Sequence, residues 1–124
     1  MLSTEPLVFN RSKDKLNKLD EDFCIEIAQD INILKSVDVL INATSIGLGK
    51  SDVFPIDNEF LKNVSYVFDM VYGKTDLTKR AKDFEVQVIG GKEMLLNQAI
   101  QQFKIFTGLD APIQVMGKTI SEGI

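Results

Sequence analysis

The feature that most constrains this chain is a short apolar run that stops abruptly in small polar residues. Val37, Val39, Leu40 and Ile41 read as a strand buried on both faces, rich in β-branched side chains. The run leads straight into Asn42-Ala43-Thr44-Ser45 and then Ile46-Gly47. Ligands of open parallel sheets sit just beyond the carboxyl ends of the strands. A small, polar stop at that place lets a ligand approach the backbone. An ordinary polar turn would read the same way from these residues alone.

The rest of the chain repeats the alternation of strand and helix. Residues 7–9 form a brief strand, and Ser12 is placed to cap a helix over 13–19 in which Leu16 and Leu19 share a face. Residues 23–27 read as a further strand and 32–35 as a short helical turn. Residues 49–57, with a glycine, a lysine and Pro55, are loop, after which Asp57 or Asn58 can cap a helix running to Val64. Residues 66–72 are a nearly continuous apolar strand interrupted by Asp69, a carboxylate that needs partners at such a place. A turn over 73–76 offers Thr75 or Asp76 as the cap of a helix to Phe84, and residues 86–89 form the last strand. The longest helix covers about 92–106, with Leu95, Leu96, Ala99, Ile100, Phe103 and Phe106 on its apolar stripe and Gly108 as its stop. Pro112 opens a short C-terminal helix that fades at Gly117. The expected class is α/β, a partial Rossmann-like parallel sheet with flanking helices, in one domain over 1–124.

Composition removes several kinds of chemistry. The 124 residues contain no histidine, which excludes histidine-based triads, proton shuttles and the usual zinc sites. The net charge of −4 gives no general attraction to nucleic acid or to an acidic membrane surface. The apolar runs are too short to span a bilayer, and residues 1–6 lack the basic start and apolar core of a signal peptide. One cysteine, Cys24, excludes an internal disulfide and fits a reducing, cytoplasmic setting. Any anionic ligand needs a local basic cluster, and Arg11, Lys13 and Lys15 supply one after the first strand. In dinucleotide-binding folds an arginine at that position accommodates a 2′-phosphate by its paired donors. Read alone, the same residues are a solvated basic helix start.

Taken together, the motifs resemble the cofactor domain of the shikimate dehydrogenase family. Asn10-Arg11-Ser12 is similar to that family's NRT segment, and Asn42-Ala43-Thr44-Ser45-Ile46-Gly47 to its NATS-x-G segment. Asp69-Met70-Val71-Tyr72 matches D-M-x-Y, and the residues from Gly91 to Ala99 match G-x-x-M-L-x-x-Q-A. The resemblance implies NADP as cofactor and hydride transfer between 3-dehydroshikimate and shikimate, in chorismate and aromatic amino acid biosynthesis. It implies that Arg11 binds the 2′-phosphate with Ser12 and Asn10 beside it, and that Asn42 and Thr44 line the cofactor channel. Met70, Gly91 and Met94 would surround the nicotinamide, while Tyr72 and Gln98 would reach the substrate. Individually, Met94 also reads as core filler, Gln98 as a surface glutamine and Tyr72 as a strand-end aromatic.

Three departures from the family pattern stand out. The loop after Tyr72 is short, with Asp76 where many members have proline, and Gly90 replaces a commonly acidic residue. No G-x-G-x-x-G loop precedes Leu7, and the family's N-terminal substrate domain, with its catalytic lysine and aspartate, has no counterpart here. No residue of this chain is therefore assigned a catalytic role, and the isolated chain is expected to be inactive and to bind NADPH weakly. Without a first Rossmann strand, residues 7–9 and 37–41 lose their shared neighbour. Direct pairing of these two strands, or a strand from another chain as in a homodimer through the sheet edge, is the expected remedy. A quinate/shikimate dehydrogenase paralogue and a non-catalytic interaction module that keeps the fold are the alternative readings.

Overall fold

The computed structural model describes residues 6–33, 37–49 and 51–123. The chain forms two compact units, with the division at Lys35 and Ser36.

In the first unit β1 (Leu7–Val8) leads through α1 (Lys13–Phe23) to β2 (Glu26–Ile27). The crossover helix returns the chain beside β1, and the two strands pair in parallel with Leu7 opposite Glu26 and Val8 opposite Ile27. Leu16 is the buried residue of α1, whereas Leu19 is exposed. Ser12 stands at the N-cap position, but its side chain makes no capping bond. Instead Asn10 Oδ1 accepts from the Ser12 N–H at 2.9 Å, which fixes the turn into the helix. The strand expected over 23–27 is shorter. Phe23 still belongs to α1, and Cys24 closes the helix in a left-handed conformation (φ 50°) with its N–H on Asp20 O. Asp20 Oδ1 accepts from the Ile25 N–H at 3.1 Å, so the aspartate holds this C-terminal turn and delays the strand. A single 3-10 turn follows at Ile31–Ile33, and the remainder of the turn expected over 32–35 lies outside the described residues.

The second unit is built on β3 (Val39–Asn42), β4 (Tyr66–Asp69) and β5 (Gln87–Gly90), parallel and in that order. Leu40 is level with Val67 and Val88, and Asn42 with Asp69 and Gly90. The helices are α2 (Asn58–Leu61), α3 (Asp76–Asp83), α4 (Gly91–Thr107) and α5 (Ile113–Gly123). Leu40 and Val67 of the sheet join Phe60, Leu61, Val64, Leu77 and Ala81 in the buried core.

Several expectations are corrected here. Among the described residues the sheets are β1-β2 and β3-β4-β5, and β1 takes its ladder from β2. β3 is buried on one face only: Leu40 and Asn42 point inward, while Val39 and Ile41 are 50% and 58% exposed. The strand expected over 66–72 ends at Asp69, because the Asp69 carboxylate accepts the Val71 N–H and turns the chain off the ladder. Finally, α5 runs past Gly117 to Gly123, and Gly117 lies within the helix beside Leu96 of α4. Phe106, assigned to the apolar stripe of α4, is 82% exposed.

α4 starts where β5 stops, and its first residue must lie close to the end of β4. A Cβ on Gly91 would sit 2.7 Å from the Met70 carbonyl oxygen and 2.8 Å from Tyr72 Cδ1. Gly91→Ala should therefore destabilise the fold by about 1–3 kcal/mol in denaturant unfolding. Gly90→Ala meets nothing within 4 Å and should stay within about 0.5 kcal/mol of the parent.

Candidate functional site

The residues singled out by the sequence fall into two groups. Asn10, Arg11 and Ser12 belong to the first unit, at the end of β1. They lie around or beside a cavity of about 340 Å³ lined by Phe9, Asn10, Arg11, Lys13, Leu16, Asn17 and residues 27–29. Arg11 is exposed and makes no ion pair or side-chain hydrogen bond among the described residues, so its planar set of donors is available.

The second group gathers at the carboxyl ends of β3, β4 and β5. Asn42, nearly fully buried, is the last residue of β3, and its amide makes three bonds to its own loop and one to β4. Its Oδ1 accepts from the Thr44 N–H at 3.0 Å and the Thr44 hydroxyl at 2.7 Å. Its Nδ2 donates to Ile46 O at 3.1 Å and to Asp69 Oδ1 at 2.9 Å. These contacts fix the amide orientation, since the reverse would set two N–H groups against donors. Thr44 Oγ1 in turn accepts from the Ile46 N–H, so the loop is held twice by short side chains.

At the end of β4, Met70 and Tyr72 are 40% and 43% exposed. Gly91 is buried against both of them, which brings these residues together. Met94 is half-buried on the first turns of α4, and Gln98, one turn further on, is exposed. Neither Tyr72 nor Gln98 uses its side chain in a hydrogen bond among the described residues.

Beside this group a cleft of about 770 Å³ runs along residues 47–49 and 51–53, Tyr72, Lys74 and the exposed side of α3. Its walls depend on three residues to which the sequence assigned no binding role. Asp52 Oδ2 accepts from the Gly47 and Gly49 N–H groups at 3.0 and 2.9 Å and closes the loop after β3. Asp76 accepts the Phe54 N–H and the Arg80 Nε–H, and Arg80 also donates to the carbonyls of Phe54 and Ile56. The sequence signals for these were weak: an aspartate three residues after a glycine, and an acid–base pair one helical turn apart. Among the described residues no group of acidic or cysteine side chains could hold a metal, and no helix is long and apolar enough to cross a membrane.

Parallel strands, crossover helices and polar strand ends define a Rossmann-like α/β segment. The comparisons with known proteins make this specific. Residues 91–120 match the model of the shikimate 5'-dehydrogenase C-terminal domain. Shikimate dehydrogenase (NADP(+)) of Nitrosopumilus maritimus is 36% identical over 127 aligned residues, covering 94% of this chain and 46% of that protein. The crystal structure of shikimate dehydrogenase from Aquifex aeolicus superposes with a TM-score of 0.82 at 30% identity, over 95% of this chain and 44% of the other. A shikimate 5-dehydrogenase from Thermus thermophilus, solved in complex with NADP(H) and shikimate, gives a TM-score of 0.80 at 26% identity, over 95% and 46%. The chain is a homologue of the C-terminal part of NADP-dependent shikimate dehydrogenases. It spans less than half the length of these relatives.

The loop after β3 should respond to acid. The two glycine N–H groups, Gly47 before Gly49, hold the Asp52 carboxyl below the ordinary aspartate range. A depressed carboxylate contributes in full above its unfolded pKa and loses that contribution as pH falls through the lower folded value. The Gly47 and Gly49 amide resonances should thus titrate with a midpoint below the ordinary aspartate value, and Asp52→Asn should abolish that titration.

Proposed function

We propose that this chain is the NADP-binding part of a shikimate dehydrogenase, the enzyme that exchanges hydride between NADP and the 3-dehydroshikimate/shikimate pair in aromatic amino acid biosynthesis. The observation that carries the reading is the convergence of Asn42, Thr44, Met70, Tyr72 and Gly91 at the ends of parallel strands. The activity is that of the relatives' full length, of which this chain spans less than half. The reading places the protein in the cytoplasm, which suits the free, exposed thiol of Cys24. β3 stands at one end of its strand order with Val39 and Ile41 exposed, and this supports association with a further strand, from a second copy in the homodimer form of the reading.

The residues present fit the cofactor. Arg11 offers an unpaired guanidinium at the mouth of a cavity, with Ser12 and Asn10 at the same turn, and this donor set suits a 2′-phosphate rather than a ribose hydroxyl. Asn42 is saturated by its own loop and by Asp69, so it shapes the channel through Thr44 instead of contacting the ligand by its side-chain amide. Gly91 permits a close backbone approach, and Met70 and Met94 present thioethers suited to a flat heteroaromatic ring. Bound NADP supplies the hydride acceptor. The phenol of Tyr72 and the amide of Gln98 have free hydrogen-bonding groups for a polyhydroxy carboxylate such as shikimate.

The test is a titration of the isotope-labelled 124-residue chain with NADPH, NADH and shikimate. NADPH should shift the amides of residues 10–12, and shikimate those of 72 and 98. Arg11→Ala should weaken NADPH roughly 10- to 100-fold, the worth of a charge-assisted phosphate contact, and leave NADH nearly unchanged. Equal losses for the two cofactors would remove Arg11 from the 2′-phosphate site. Ligand-induced shifts confined to residues other than 10–12, 72 and 98 would remove the dehydrogenase reading.

A further inference from the structure

We infer that Asp69 is a positioning residue of the strand-end site, a buried carboxylate that sets the loop after β3 and the backbone before Tyr72 in one geometry. It is fully buried and has no cationic partner among the described residues. Every contact it makes is with a donor. Oδ1 accepts from Asn42 Nδ2 at 2.9 Å and from the Val71 N–H at 3.1 Å, and Oδ2 accepts from the Thr75 hydroxyl at 2.6 Å. A carboxylate accepts at both oxygens and satisfies all three donors, whereas an asparagine would set its own NH2 against at least one of them.

Each partner carries the constraint onward. Asn42, once oriented by Asp69, holds the Thr44 N–H and hydroxyl and the Ile46 carbonyl. The Val71 N–H belongs to the peptide between Met70 and Val71, one residue before Tyr72. The Thr75 hydroxyl, donating to Asp69, accepts the Thr78 N–H as the cap of α3. Gly47 closes the circuit: a Cβ there would lie 2.8 Å from Thr75 Cγ2, so the loop rests on the same threonine. Thr44 and Tyr72 come from different strands, and their relative position is set by one side chain that touches neither. What those two groups bind rests on the dehydrogenase reading; that Asp69 places them does not.

The test uses the 124-residue chain as Asp69→Asn, Thr75→Val and Thr75→Ser, with Leu61→Val as a core change outside the hydrogen-bonded cluster. Thr75→Val keeps the shape and loses the hydroxyl, and Thr75→Ser restores it, so this pair decides the matter even if Asp69→Asn does not fold. Amide resonances of Thr44, Ile46 and Tyr72 should move in Asp69→Asn and Thr75→Val, with a roughly tenfold or greater loss of protection from hydrogen exchange at Thr44. They should return in Thr75→Ser and stay in place in Leu61→Val, whose effect is confined to the unfolding midpoint. Shikimate affinity should fall roughly tenfold in the first two variants and recover in Thr75→Ser. Folded Asp69→Asn or Thr75→Val chains with wild-type resonances at these positions would overturn the proposal. If NADPH and shikimate shift amides of the parent chain only away from residues 10–12, 72 and 98, the dehydrogenase reading fails, and the amide and exchange readouts still decide the role of Asp69.

Discussion

A carboxylate at 0% exposure, without a cation beside it among the described residues, is the interaction on which the second unit depends. Removing an ionised group from water costs several kcal/mol unless hydrogen bonds replace its solvent shell. Asp69 meets that condition with a side-chain amide, a backbone N–H and a hydroxyl, each on a different segment. The cost of burial thereby becomes a constraint on geometry. If any one of the three donors moves away, part of the desolvation cost is exposed, so the three segments are fixed together or not at all. The end of β3, the turn after β4 and the first turn of α3 are coupled in this way.

Close backbone approach completes what the hydrogen bonds begin. Gly47 (φ 109°) adopts a conformation that a side chain would strain, and it lies on Thr75. Gly91 has an ordinary conformation but no room for a Cβ, because the Met70 carbonyl and the Tyr72 ring occupy that space. On the far side, Arg80 binds the carbonyls of Phe54 and Ile56 while its neighbour Asp76 accepts the Phe54 N–H. The long connection from β3 to α2 is therefore tied to α3 at both ends, by Asp69 through Thr75 and by Asp76 with Arg80. Loops that carry function are useful when a scaffold holds them, and here the scaffold is polar rather than apolar.

Much of this was legible before any coordinates. The alternation of apolar runs and helical periods placed the five strands of the described residues and most helices, and Gly108 ended α4 in the left-handed conformation expected of it. The carboxylate in the apolar run at 66–72 announced that partners were needed, though not which. The two misplaced strand boundaries share a cause, which is that side-chain bonds to nearby backbone decide where elements end. Asp20 holding Ile25 N–H shortened β2, and Asp69 holding Val71 N–H shortened β4. Periodicity reports which face is apolar and is silent about such local bonds. Burial of β3 was misjudged for a different reason. A continuous apolar run predicts two covered faces, but cover is a property of the surroundings, and Val39 and Ile41 are half exposed here. Asp52 and the Asp76–Arg80 pair had no signal stronger than spacing, because their partners are mostly main-chain groups.

The exposed face of β3 also bears on what the polar cluster is for. Replacing a fully satisfied buried polar network by apolar residues of similar size is often neutral or stabilising, whereas removing a single member orphans its partners. A core built only for stability could therefore fill the space of Asn42, Asp69 and Thr75 with leucine and valine. Such a core would leave the Val71 N–H unpaired, release Thr44 and Ile46 from the Asn42 amide, and remove the cap of α3. With one face of β3 open to solvent, the inward face carries more of the unit's cohesion, and an apolar filling there would be the simpler source of it. The presence of three mutually satisfied polar side chains at this place is better explained by orientation than by cohesion. Apolar packing tolerates small shifts of one strand end against the next. Charge-assisted hydrogen bonds at 2.6–3.1 Å tolerate much less, and a site assembled from the ends of two strands needs that difference.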